Sequence, residues 1–64
     1  MRIDRIKLLT ELAKQDMTQK RLAELSGVSR ATINYIRAGK SCSEVIGKKI
    51  AGALNVPIEE LLEK

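Results

Sequence analysis

Apolar residues recur along the chain at the three- and four-residue spacing of α-helices, and no stretch alternates apolar with polar residues as a half-buried strand would. Short breaker signals separate these stretches, and the pattern predicts five helices. The first two helices have apolar faces formed by Ile6, Leu9, Leu12 and Ala13, and by Leu22, Ala23 and Leu25. The first helix is expected to end near Gln15 and Asp16.

The second and third predicted helices are short and lie close together in the chain. Thr18 is positioned to cap the second helix, and Gly27 follows its last turn. Ser29 is a good N-cap for the third helix, in which Ile33 and Ile36 share one face. The sequence therefore predicts two helices joined by a tight turn that contains glycine, and Ala38-Gly39 ends the second of them.

The fourth and fifth helices have more ambiguous boundaries. Ser41 with Glu44 has the spacing of a capping box, while Ser43 is a rival cap for the fourth helix. Asn55 is expected to end the fourth helix in the left-handed conformation, and Pro57 suits the first turn of a fifth helix. Their apolar faces are formed by Ile46, Ile50, Ala53 and Leu54, and by Ile58, Leu61 and Leu62.

A chain of 64 residues supports one small core, so we expect a single domain over residues 1–64. The core must be aliphatic, because the chain has one Tyr and neither Phe nor Trp. The predicted core residues are Ile6, Leu9, Leu22, Ile33, Ile36, Ile50 and Leu54.

The composition argues against catalysis and metal binding. The chain has no His, and its only thiol is Cys42, which we interpret as an incidental exposed group. We therefore expect no enzyme activity, no cofactor, no metal and no small-molecule ligand. No apolar run is long enough to span a membrane and no signal peptide is evident, which favours a cytoplasmic protein.

The net charge of +4 is unevenly distributed along the chain. Residues 1–42 hold nine basic and four acidic side chains, whereas residues 43–64 hold three and four. At about 100° per residue, the face of the third helix opposite Ile33 and Ile36 carries no carboxylate. That face is formed by Arg30, Ala31, Asn34, Tyr35 and Ala38. A basic excess around such a face is typical of a surface that binds a polyanion.

Residues 17–36 resemble the Cro/C1-type (XRE-like) helix-turn-helix DNA-binding family, which includes phage repressors, and residues 49–62 resemble the last two helices of its members. The motif positions are Thr18-Gln19, Leu22-Ala23, Gly27-Val28-Ser29 and Ile33. The resemblance implies an all-α, five-helix, lambda-repressor-like domain whose helix-turn-helix is formed by helices two and three. It also implies sequence-specific binding to double-stranded DNA by a small, repressor-like transcriptional regulator, encoded by a bacterium or a phage.

By the same resemblance, the recognition helix, about residues 29–38, would lie in the major groove. The candidate base contacts are Arg30, Ala31, Asn34 and Tyr35. Arg30 would pair with guanine, Asn34 with adenine, and Ala31 would pack on a thymine methyl. The candidate phosphate contacts are Thr18, Gln19, Arg21, Ser29, Lys40 and Ser41. Gln19 is also a candidate to brace the recognition side chains.

Arg37 departs from the family pattern, because many members have Glu near the end of the third helix. The usual ion pair with the first helix cannot form, and Glu11, a conceivable partner of Arg37, points away from the apolar stripe. The family usually binds DNA as a homodimer, for which Leu61, Leu62 and the start of the fourth helix are candidate contacts. The alternative is a small helical interaction module that docks a protein through Leu8, Leu61 and Leu62, or an antitoxin-like adaptor; the carboxylate-free face argues against both.

Overall fold

The computed structural model describes residues 1–63 and contains four α-helices followed by one turn of 3₁₀ helix. In chain order these are α1 (Arg5–Lys14), α2 (Gln19–Ser26), α3 (Arg30–Arg37), α4 (Glu44–Leu54) and the final 3₁₀ turn (Ile58–Glu60). The described residues form no strand, and Ile3 and Leu62 form an isolated antiparallel bridge. The all-helical fold is confirmed, whereas the fifth α-helix is reduced to the 3₁₀ turn.

The N-caps predicted for α2 and α3 are confirmed. Thr18 Oγ1 accepts a hydrogen bond from the Arg21 N–H (3.1 Å), and Ser29 Oγ accepts one from the Thr32 N–H (3.2 Å). Each bond satisfies a backbone donor that has no partner within the helix. Asn55 ends α4 in the left-handed conformation at φ 58°, as the sequence predicts.

The structure decides between the two rival caps of α4. Ser43 Oγ accepts a hydrogen bond from the Ile46 N–H at 3.2 Å, and Ser43 is the N-cap of the helix. Ser41 lies two positions earlier, in the segment that connects α3 with α4. The capping-box spacing of Ser41 with Glu44 is therefore not used, and α4 begins at Glu44.

Replacing Ser43 by Ala is expected to lower the free energy of unfolding by about 1 kcal/mol, because the Ile46 N–H loses its acceptor. Ser41→Ala removes the same hydroxyl from an exposed residue outside the helix, and we expect a change within about 0.5 kcal/mol. Urea unfolding followed by circular dichroism measures both variants. Equal losses in the two variants would contradict the assignment of the cap.

The buried residues of the core come from segments all along the described chain, and all of them are apolar. They are Ile3, Leu8, Leu12, Leu22, Val28, Ile33, Ile36, Ile50, Ala51, Leu54 and Leu61. Helix α2 packs against both α3 and α4, while α1 packs against α3. The predictions for α2, α3 and α4 are confirmed at Leu22, Ile33, Ile36, Ile50 and Leu54.

The predicted inner face of α1 is confirmed at Leu12 and wrong at its other positions. Ile6 and Leu9 are exposed, and the buried residues of the helix are Leu8 and Leu12. Apolar residues occupy two stripes of α1, so periodicity alone does not select the face that packs inward. The same correction applies to Leu25 of α2, which is 47% exposed.

Backbone pairing between residues 2–4 and 61–63 explains why the last helix stops short. The Asp4 N–H donates to the Leu61 carbonyl (2.7 Å), and the Glu63 N–H donates to the Arg2 carbonyl (3.0 Å). These bonds hold the chain after Leu61 alongside the segment that precedes α1, which is incompatible with another helical turn. The same pairing holds Ile3 and Leu61 inside the core.

Candidate nucleic-acid interface

Helix α3 is held in one orientation by its buried residues. Ile33 and Ile36 are three residues apart and lie in the core. Ser29 fixes the start of the helix through its bond to the Thr32 N–H, and Ser29 Oγ also lies 2.9 Å from Thr32 Oγ1. Because the inner face is fixed, the side chains on the opposite face are presented to solvent.

The turn between α2 and α3 sets how the two helices meet. Gly27 adopts the left-handed conformation at φ 72°, which a side chain would disfavour, and its N–H donates to the Ala23 carbonyl (3.0 Å). Val28 is buried, and its N–H donates to Ser26 Oγ at 3.2 Å. The buried Val28 side chain thus anchors the turn between two short helices, which is the arrangement of a helix-turn-helix.

The exposed face of α3 offers mixed polar chemistry without negative charge. Arg30, Ala31 and Asn34 are exposed, and Tyr35 is 64% exposed. The helix reads RATINYIR and carries no carboxylate. An α-helix with its side chains is about 10–12 Å in diameter, which fits the DNA major groove of about 12 Å in width. All four candidate base contacts therefore lie on a surface that a duplex could reach.

Gln19, the first residue of α2, lies against α3. We assign the orientation of its amide so that each group meets a complementary partner, because Arg37 can only donate. In this orientation the amide nitrogen donates to Asn34 Oδ1 (3.2 Å), and the amide oxygen accepts from Arg37 Nε (3.0 Å) and from Arg37 Nη1. Arg37 thus has a polar partner on α2, which the sequence did not reveal because the pairing depends on the spacing between two helices. These contacts fit a bracing role for Gln19.

The other candidate phosphate contacts lie near the termini of α2 and α3. Thr18, Arg21, Ser29, Lys40 and Ser41 are all exposed. The hydroxyls of Thr18 and Ser29 already cap helices, which leaves their remaining lone pairs and protons for other partners. The Lys40 N–H donates to the Tyr35 carbonyl (3.1 Å), which ties this segment to the end of α3.

Cys42 differs from the sequence expectation, because it is half-buried and packs against the core. Its N–H donates to the Met1 carbonyl at 2.8 Å. Burial raises the pKa of the Cys42 thiol, and the neighbouring N-terminal ammonium opposes this effect only in part. A raised pKa lowers the thiolate fraction at neutral pH, so the environment does not activate this thiol.

A second surface feature is a groove of about 490 Å³ formed by α1 and the 3₁₀ turn, lined by Lys7, Thr10, Glu11, Lys14, Glu59 and Glu60. Its charges are mixed, and Lys14 pairs with Glu11, one turn earlier on α1, at 3.4 Å. Within residues 1–63 no cluster of three or more potential ligands is arranged to hold a metal ion. None of the described helices has the length and hydropathy needed to cross a membrane.

A family model described as Helix-turn-helix matches residues 6–61. The chain belongs to this helix-turn-helix family. The match includes all four α-helices apart from the first residue of α1, and the family is the Cro/C1-type, XRE-like one that the sequence resembles. No curated protein and no solved structure matches the chain significantly.

Membership of the helix-turn-helix family indicates a DNA-binding domain of the kind found in transcriptional regulators. The structure corrects one of the proposed dimer contacts, because the Leu61 side chain is fully buried in its own core. Leu62 is half-buried. Leu8 is also fully buried, so two of the three residues expected to dock a protein in the adaptor alternative are inaccessible.

Proposed function

We propose that this helix-turn-helix protein binds a specific double-stranded DNA sequence as a small transcriptional regulator of the repressor type, acting in the cytoplasm. The observation that carries the proposal is the exposed, carboxylate-free face of α3 in a domain of this family. Helix α3 would enter the major groove, with Arg30, Ala31, Asn34 and Tyr35 towards the bases. The charges of residues 1–42, nine basic and four acidic, favour approach to a polyanion.

Contacts to the backbone would come from both sides of the recognition helix. Thr18, Gln19 and Arg21 belong to the start of α2, and Ser29 caps α3. Lys40 and Ser41 follow α3 in an exposed segment. Phosphate contacts of this kind position a domain on the duplex, while contacts to base edges supply the sequence preference.

We further propose that the protein binds as a two-fold homodimer, because one eight-residue helix provides few base contacts. With Leu61 buried, the remaining candidate surface is the start of α4, where Val45 is 62% exposed, together with Leu62. Such a dimer would recognise an inverted repeat whose half-sites lie about 34 Å apart, one helical turn of DNA.

Selection from a pool of random duplexes, followed by binding at several salt concentrations, tests the proposal. We expect an enriched inverted repeat and an affinity that falls as the salt concentration rises, because counterions are released from DNA on binding. A pool without any enriched motif, together with a protein partner that copurifies with the chain, would favour the adaptor and contradict the DNA-binding proposal.

A further inference from the structure

The contacts of Gln19 connect Arg37, at the last position of α3, with Asn34, one turn earlier. Arg37 donates to the Gln19 amide oxygen, and the Gln19 amide nitrogen in turn donates to Asn34 Oδ1. A guanidinium has only donors, so Arg37 can accept nothing from Gln19. The Gln19 amide oxygen must therefore face Arg37, which leaves the Gln19 amide nitrogen to donate to Asn34 Oδ1.

The direction of these bonds decides what Asn34 offers to a ligand. Its Oδ1 is turned towards Gln19 at 3.2 Å, and the residue is exposed. The Nδ2 amide group, which carries two donors, is then the part of the side chain turned away from Gln19 and towards an outside partner, while Oδ1 keeps one further lone pair. We propose that Arg37 is a positioning residue that sets the base preference of the protein, by holding Asn34 as a donor through Gln19. The proposal rests on the DNA-binding function proposed above.

A donor at Asn34 selects among bases by the groups they present in the major groove. Guanine presents the acceptors O6 and N7, thymine presents O4 and adenine presents N7, whereas cytosine presents only the N4 donor. We therefore expect a base with an acceptor at the position that Asn34 contacts, and exclusion of cytosine. The adenine pairing expected from the sequence uses the same Nδ2 donor towards N7, and in addition it needs the second lone pair of Oδ1 to accept from N6.

The hydrogen bonds from Arg37 through Gln19 to Asn34 form a relay. Arg37→Glu tests the direction of this relay, because it replaces a group with only donors by one with only acceptors. The Gln19 amide would turn over to donate to Glu, its oxygen would accept from Asn34, and Asn34 would present its oxygen to the DNA. Duplex selection with both proteins should show cytosine, which the parent protein excludes, replacing guanine or thymine at one position of each half-site, whereas adenine has both a donor and an acceptor and is compatible with either state. Competition binding should show the guanine-to-cytosine affinity ratio at that position change by about tenfold or more.

The ratio is the informative quantity, because the loss of positive charge in Arg37→Glu weakens binding to every sequence alike. Arg37→Lys retains a donor and is expected to keep the base preference of the parent protein. In a Gln19→Leu background the relay is absent, so Arg37→Glu should no longer change the preference. Thermal unfolding of each variant checks that the fold is retained.

The outcomes separate this inference from the proposed function. If the parent protein enriches a motif and Arg37→Glu enriches the same motif, the relay is wrong while DNA binding holds. A switch that persists in the Gln19→Leu background would show a direct effect of residue 37 and would also overturn the relay. If the parent protein enriches nothing, the proposed function itself fails.

Discussion

Leu8→Ala is expected to lower the free energy of unfolding by about 2–5 kcal/mol, whereas Leu9→Ala, at the next position of α1, should lower it by less than about 1 kcal/mol. Leu8 is fully buried in the core, and Leu9 is 37% exposed. The larger loss combines the transfer of apolar atoms to water with the cavity that the smaller side chain leaves.

The expected loss is large for a domain of 64 residues, whose total stability is on the order of 3–10 kcal/mol. Leu8→Ala should therefore lose a large fraction of the stability of the domain. Chemical denaturation followed by circular dichroism compares the two variants, which differ by one position and involve the same substitution. If Leu9→Ala were the more destabilising, α1 would pack with Ile6 and Leu9 inward, as the sequence predicted.

Arg30→Ala is expected to weaken binding to the selected DNA by about 1–3 kcal/mol for each half-site, which amounts to a large loss in a two-fold complex. The reason is that its guanidinium can donate to guanine O6 and N7 together, which no neighbouring group on α3 can do. The variant should also accept any base at the position that Arg30 contacts. Quantitative binding to a set of single-base variants of the selected site measures both effects.

Lys40→Ala provides the contrast, because a phosphate contact carries no sequence information. It should weaken binding to all duplexes similarly and reduce the slope of log affinity against log salt by about one for each bound copy. Lys49→Ala, which removes the same charge from an exposed position of α4, is the control and should leave both quantities nearly unchanged. A change of base preference in Lys40→Ala would contradict its assignment to the phosphates.

The sequence predicted best where local chemistry decides the structure. Ser29, Gly27, and the pair Ile33 and Ile36 together determine the limits and the inward face of α3, so the exposed side chains on its other face followed from helix geometry alone. Capping and left-handed turns depend on residues only a few positions apart, and such signals are visible in the chain itself.

The errors concern contacts between distant residues. Nothing near α1 indicates that Leu8 rather than Leu9 faces the core, because that depends on how the segment before the helix is anchored at Leu61. The pairing of Gln19 with Arg37 likewise requires the packing of α2 on α3. Periodicity specifies faces and lengths of helices, whereas the packing partners of each face come from the tertiary structure.

The pairing of residues 2–4 with residues 61–63 joins the two ends of the described chain by backbone hydrogen bonds. Opening of either segment breaks the backbone bonds of both, and it exposes Ile3 and Leu61 together. The two segments therefore form one cooperative unit, although nearly the whole domain separates them in sequence. Leu8 of α1 belongs to the same core, and α1 packs against α3. The pairing of the two segments therefore also supports the recognition helix on the side of α3 that faces the core.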